Sequence, residues 1–177
     1  AELAIKSGAW DYVEKPLSFK HIALPLNRAL DYHAEKHASA VISAFNRQDI
    51  VGNSRQLNES IFQAARAANT DSNILITGET GTGKELFARA VHENSSRRLK
   101  NFVVVDCAAL PKTLVESTLF GYEKGAFTGA NRSKPGLMEM ASGGTIFLDE
   151  ICNISDAMQM KLMRAVQAQQ ITRVGGI

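Results

Sequence analysis

An apolar quartet, Ile74-Leu75-Ile76-Thr77, runs straight into Gly78-Glu79-Thr80-Gly81-Thr82-Gly83-Lys84. A stretch with helical periodicity follows, its apolar residues Leu86, Phe87, Ala90 and Val91 on one side. Strand, glycine loop, lysine and helix, in that order, narrow the fold more than any other feature of the chain. Glycines let the backbone curl so that several N–H groups face inward, and the following helix adds its positive end. Such a turn cradles phosphate, and Lys84 supplies a point charge for the β and γ phosphates of a nucleotide. Phe102-Val103-Val104-Val105 and Thr145-Ile146-Phe147-Leu148 read as two further strands. A helix capped by Ser155 follows, carrying Met158, Leu162, Met163 and Val166. Strands alternating with helices predict an α/β fold whose sheet is mainly parallel, with right-handed crossovers.

The third strand ends in Asp149 and Glu150. Acids at the carboxyl end of such a strand project into the crevice where ligands of open α/β sheets bind. Asp149 is placed to hold Mg²⁺, mostly through water. Glu150 is placed to polarise the water that attacks the γ phosphate. Together these residues predict an Mg-ATP site. The residue after Lys84 departs from the general pattern: it is Glu85, where Ser or Thr ordinarily helps hold the metal.

Between the two halves of this site lies Gly125-Ala126-Phe127-Thr128-Gly129-Ala130, a small hexapeptide with one aromatic residue. The segments at 78–85, Glu116-Ser-Thr-Leu-Phe-Gly121, 125–130 and Gly143-Gly-Thr-Ile-Phe-Leu-Asp-Glu-Ile151 together resemble the bacterial enhancer-binding proteins. These are AAA+ ATPases that activate RNA polymerase carrying sigma-54. In that family Glu follows the loop lysine, so Glu85 agrees with the resemblance. It implies a P-loop AAA+ three-layer sandwich, here partial, over about residues 50–177. It further implies a hexameric ring with ATP between subunits and a loop that rises and falls with nucleotide state. Phe127 and Thr128 become the tip that contacts sigma-54. Ile50 and Val51 resemble the segment lying against adenine. Asp106 stands where the family usually has Asn, whose amide holds the catalytic glutamate. An ionised carboxylate cannot donate that bond, so altered coupling between hydrolysis and loop movement is expected.

The amino-terminal piece is different. Tyr12-Val13-Glu14-Lys15 is a strand candidate stopped by Pro16, and Ser18 can cap a helix bearing Ile22, Leu26, Ala29 and Leu30. Pro25 is expected to kink that helix. Residues 9–16 resemble the last strand of a response-regulator receiver domain, which implies Lys15 as the lysine that contacts the phosphorylated aspartate and Tyr12 as the switch aromatic. The organisation expected is a receiver remnant over 1–34, a helical linker over 35–49 through which the protein dimerises, and an ATPase domain over 50–177. A sensor histidine kinase is the implied upstream partner, and DNA is contacted only through a further carboxyl-terminal domain. Both ends read as cut through structure, so the chain is expected to be a fragment that binds ATP weakly and hardly hydrolyses it alone.

Composition sets the outer limits. A net charge of +2 is too small to argue a nucleic-acid surface. Cys107 and Cys152 are far apart and read as reduced thiols of a cytosolic protein. His33 and His37, four apart, imitate a helical metal pair, but a solvated linker face explains them better. Two other readings share these features: a generic AAA+ remodelling ATPase, and a non-catalytic phosphorelay module.

Overall fold

A computed structural model describes residue 15 and residues 18–47, 49–111 and 113–176. The strand expected at Tyr12–Glu14, with its Tyr12 switch, lies outside the described residues; Lys15 is an exposed residue in a bend. The chain forms two units, residues 1–46 with 52–65, and residues 47–51 with 66–177.

In the first unit α1 spans Phe19–Ala44 and continues through Pro25. The two helical stretches expected on either side of Ala34 are therefore one helix. Its more covered side carries Ile22, Ala29, Val41 and Ile42 and ends on buried Phe45. Leu26 and Leu30, expected on the packed side, are exposed. Helix α2, Arg55–Ala68, begins after Ser54, whose hydroxyl accepts the N–H of Leu57 at 3.2 Å. Ile61, Ala64, Ala65 and Ala68 recur at helical spacing and are buried.

The second unit carries α3 (Lys84–Glu93), β1 (Phe102–Asp106), α4 (Val115–Phe120), β2 (Gly121–Tyr122), β3 (Lys134–Pro135), α5 (Leu137–Met140), β4 (Thr145–Asp149) and α6 (Asp156–Ala168). Strands β1 and β4 pair in parallel, Phe102 opposite Thr145 through Asp106 opposite Asp149. Alternation along the strands sends Val103, Val105, Ile146 and Leu148 to one face. There they meet Val115, Leu119 and Phe120 of α4, Ile154, and Met158 and Leu162 of α6. On α6 the packed residues are Met158, Leu162 and Ala165, while Met163 and Val166 are exposed. Phe102 and Thr145 point to the other face, towards α3. The His92 ring lies 5.1 Å from that of Phe102, and its Nδ1 is 2.9 Å from Thr145 Oγ1. Helices on both faces of a parallel pair give the layered α/β arrangement that the alternation predicted.

One expected strand is not formed. Ile74–Thr77 joins no ladder, and Leu75 is 80% exposed. An open groove of about 350 Å³ separates it from β4, walled by Ile74, Ile76, Ala88, Val91, Thr145 and Phe147. A strand is completed only by a neighbour that takes up its N–H and C=O groups. Among the described residues no backbone group bonds to Ile74–Thr77. Within Ile171–Val174 no strand forms, and Val174 makes a single bridge to Tyr122.

Candidate nucleotide site and its loop

The glycine loop has the conformation its sequence requires. Gly81 and Gly83 hold φ of 83° and 84°, left-handed values that L side chains resist. Gly83 then caps α3, which starts at Lys84. Thr82 donates from Oγ1 to the Glu79 carbonyl at 2.8 Å and closes the turn. Lys84 donates from Nζ to the carbonyls of Gly78 and Glu79, at 3.3 and 3.1 Å, so its ammonium rests over the loop. Among the described residues nothing accepts the N–H groups of Gly81 and Gly83. Open donors, a cation and a helix amino terminus on one turn fit a polyphosphate. Glu85 points away from this set and pairs with Arg89 at 3.0 Å.

Asp106 and Asp149 end the parallel strands side by side. Asp149 Oδ1 accepts the N–H of Glu150 at 2.9 Å. Glu150 itself holds φ 50°, a strained value for a residue with a side chain, and turns the chain from β4 into the short 3-10 helix Ile151–Asn153. Its carboxylate is met by Asn153 Nδ2 at 3.5 Å and Cys152 Sγ at 3.9 Å. Asp106 Oδ1 accepts the N–H groups of Ala108 and Ala109, at 2.9 and 3.3 Å. The carboxylate thus braces its own turn, a use that the Asn at this place could share through its amide oxygen. Acids of this type, on one strand end, fit a hydrated divalent cation. At the expected adenine segment Ile50 is buried and Val51 is 91% exposed, leaving Val51 the freer side chain.

The hexapeptide is the tip of the β2–β3 hairpin. Gly125 and Gly129 hold φ of 84° and 99°. The turn is closed by Gly125 N–H on the Ala130 carbonyl at 2.9 Å, Ala126 on Glu123 at 3.1 Å and Ala130 on Phe127 at 3.0 Å. Thr128 is exposed and Ala130 buried. Phe127 is 42% exposed and folds back so that its ring lies 4.9 Å from that of Tyr122.

Residues the sequence did not single out hold the base of this hairpin. Arg173 donates from Nε and Nη2 to both oxygens of Glu139, and from Nη1 to Glu123 at 2.9 Å. The guanidinium holds the Glu139 carboxyl below the usual range. The hydroxyl of Ser133, then Arg173, lower that of Glu123 in the same way. Ser133 Oγ donates to Glu123 at 2.6 Å and accepts the N–H of Lys124 at 3.1 Å. Main-chain bonds join Glu123 to Val174 and Val174 to Gly121, each 3.0 Å. The partners are 34 and 50 residues apart, and only the charges of an Arg and two Glu could have suggested them.

Comparisons with known proteins agree on one lineage. Residues 50–177 match the model of the sigma-54 interaction domain. The chain is 44% identical over 172 residues to the transcriptional regulatory protein ZraR of Escherichia coli K12, covering 97% of this chain and 39% of that protein. It is 44% identical over 170 residues to the DNA-binding transcriptional regulator NtrC of a Bradyrhizobium species, covering 96% of this chain and 35% of that one. The crystal structure of NtrX from Brucella abortus in complex with ATP matches 99% of this chain and 37% of its own, at 37% identity and a TM-score of 0.65. The chain therefore spans about two fifths of the curated relatives it matches. With its P-loop α/β fold of the AAA+ type, the chain belongs to the sigma-54 interaction domain family of response-regulator-type transcriptional regulators.

Proposed function

We propose that this chain is the nucleotide-binding part of a cytoplasmic transcriptional activator that uses ATP to remodel sigma-54 RNA polymerase under the control of a two-component phosphorelay. The observation that carries it is the hexapeptide loop, which offers a half-exposed Phe127 and an exposed Thr128 from the same unit that bears the phosphate loop. NtrX with bound ATP supports the nucleotide.

The placement of these residues supports the following roles. The loop N–H groups and Lys84 bind the phosphates, with Mg²⁺ neutralising the transferred charge when bound. Asp149 would hold Mg²⁺ through the ion's water shell. Glu150 accepts a proton from the attacking water. Arg173, downstream of the acid-bearing strand, ties its own segment to Glu123 at the base of the hairpin and to Glu139. A ring of subunits, dimer contact through α1, an upstream sensor kinase and DNA contact by another domain complete the reading.

The test is capture of sigma-54 by the full-length protein with ADP and aluminium fluoride, a transition-state mimic. Capture that disappears in Phe127→Ala and in Lys84→Ala supports the proposal. A generic remodelling ATPase would bind nucleotide and leave sigma-54 free. A non-catalytic phosphorelay module would not bind Mg-ATP at all.

A further inference from the structure

We propose that Tyr122 is a positioning residue: its ring parks Phe127 against β2 and so sets how often the loop offers that side chain to a partner. The parking stands on the structure, and the identity of the partner rests on the sigma-54 reading above.

Phe127 is the loop's one aromatic residue, and its neighbours are Gly, Ala and Thr. The turn bonds bring it round to a residue five positions earlier. There the two rings meet at 4.9 Å between centroids, tilted by 59°, a favourable aromatic geometry. Tyr122 is well placed to be the fixed half of the pair. It lies in β2 opposite Lys134 and makes a bridge to Val174. The other half is free to leave, because Phe127 keeps 42% of its surface exposed even when parked. Gly175 packs beneath the loop: a Cβ there would stand 2.8 Å from that of Ala126. The parked loop is therefore seated on Gly175 and pinned by one ring. A ring pair of this kind biases a two-state equilibrium by roughly twofold to tenfold.

The first arm needs no partner. Trp10 is the one tryptophan of these 177 residues, so Phe127→Trp in the full-length protein, with Trp10 and any tryptophan outside these residues changed to Phe, gives a single reporter at the loop tip. Acrylamide quenching of that reporter is expected to rise about twofold with Tyr122→Ala and to return with Tyr122→Phe, which keeps the ring. Tyr122→Leu keeps apolar volume without the ring and is expected to behave as Tyr122→Ala, which separates parking from loss of fold. Equal quenching across all four side chains at position 122 overturns the proposal. The second arm uses the full-length protein with natural Phe127 and sigma-54, trapped with ADP and aluminium fluoride. Tyr122→Ala is expected to capture more sigma-54 below saturation, and Tyr122→Phe as much as the parent. Unchanged capture by Tyr122→Ala overturns the role of Tyr122 in offering the loop. If neither parent nor variant captures sigma-54 while the quenching difference persists, the partner is wrong and the parking stands.

Discussion

Arg173 grips Glu139 with two nitrogens, Nε at 2.8 Å from one carboxylate oxygen and Nη2 at 2.6 Å from the other. A planar fork on a carboxylate is the strongest common charge-assisted geometry, and lysine cannot reproduce it. The same guanidinium also reaches Glu123, at the foot of the hexapeptide hairpin. Arg173→Ala is expected to loosen that foot, with tryptic cleavage after Lys124 becoming several-fold faster. Arg173→Lys should fall between the two. Identical cleavage rates in all three proteins would contradict the fork's role.

His92 gives the fold a pH dependence of defined sign. It sits on α3, buried against β4, and burial lowers its pKa from the ordinary 6.5. The unfolded chain therefore binds the proton more readily than the folded one. Stability from the neutral ring is complete above the unfolded pKa and is lost as pH falls through 6.5 towards the folded value. The thermal midpoint is expected to fall between about pH 7.5 and 5.5, the range in which histidine titrates. His92→Gln should flatten that part of the profile.

Gly144 has no room for a side chain. A Cβ there would meet the Asn101 carbonyl and lie 3.0 Å from the Asn101 nitrogen, at the entry to β4. The Asn101 carbonyl also accepts the N–H of Thr145 at 2.9 Å, so it cannot retreat without breaking the start of the ladder. Gly144→Ala is expected to destabilise the protein by about 1–3 kcal/mol, read as a lower urea midpoint. A midpoint within error of the parent's would contradict this close approach.

The two ends of the nucleotide site should separate binding from chemistry. Lys84→Ala is expected to abolish binding of a fluorescent ATP analogue. Glu150→Gln in the full-length protein should keep binding and lower turnover by about 10²–10⁴, the usual worth of a general base. Asp106→Asn can keep the bonds to Ala108 and Ala109 through its amide oxygen, and adds a donor beside Asp149. A changed ratio of ATP hydrolysed to sigma-54 captured is the expected signature, and an unchanged ratio would remove Asp106 from the coupling.

Local signals were the legible ones. The turn chemistry of Gly83 and Lys84 placed the start of α3, and the short apolar runs Phe102–Val105 and Thr145–Leu148 placed both paired strands with their acids. Ile74–Thr77 has the composition of a strand, but pairing is a property of the neighbour as much as of the segment. On α6, Met163 and Val166 carry the same apolar signal as Met158 and Leu162, and only the tilt of the helix on β1 and β4 decides which pair is covered. The Arg173 fork and the ring contact of Tyr122 depend on side chains brought together by a hairpin, which no periodicity records. Phe127 as the contact tip came from the resemblance, and only the structure shows which residue its ring rests on, Tyr122.

The central claim is that nucleotide controls contact between Phe127 and sigma-54. A photo-crosslinking benzophenone amino acid in place of Phe127, in the full-length protein mixed with sigma-54, reads that contact at one position. The account predicts a crosslink to sigma-54 with ADP and aluminium fluoride, lost without nucleotide and lost in Lys84→Ala. A crosslink of equal yield under all three conditions, or one that never leaves the protein's own chain, would contradict it.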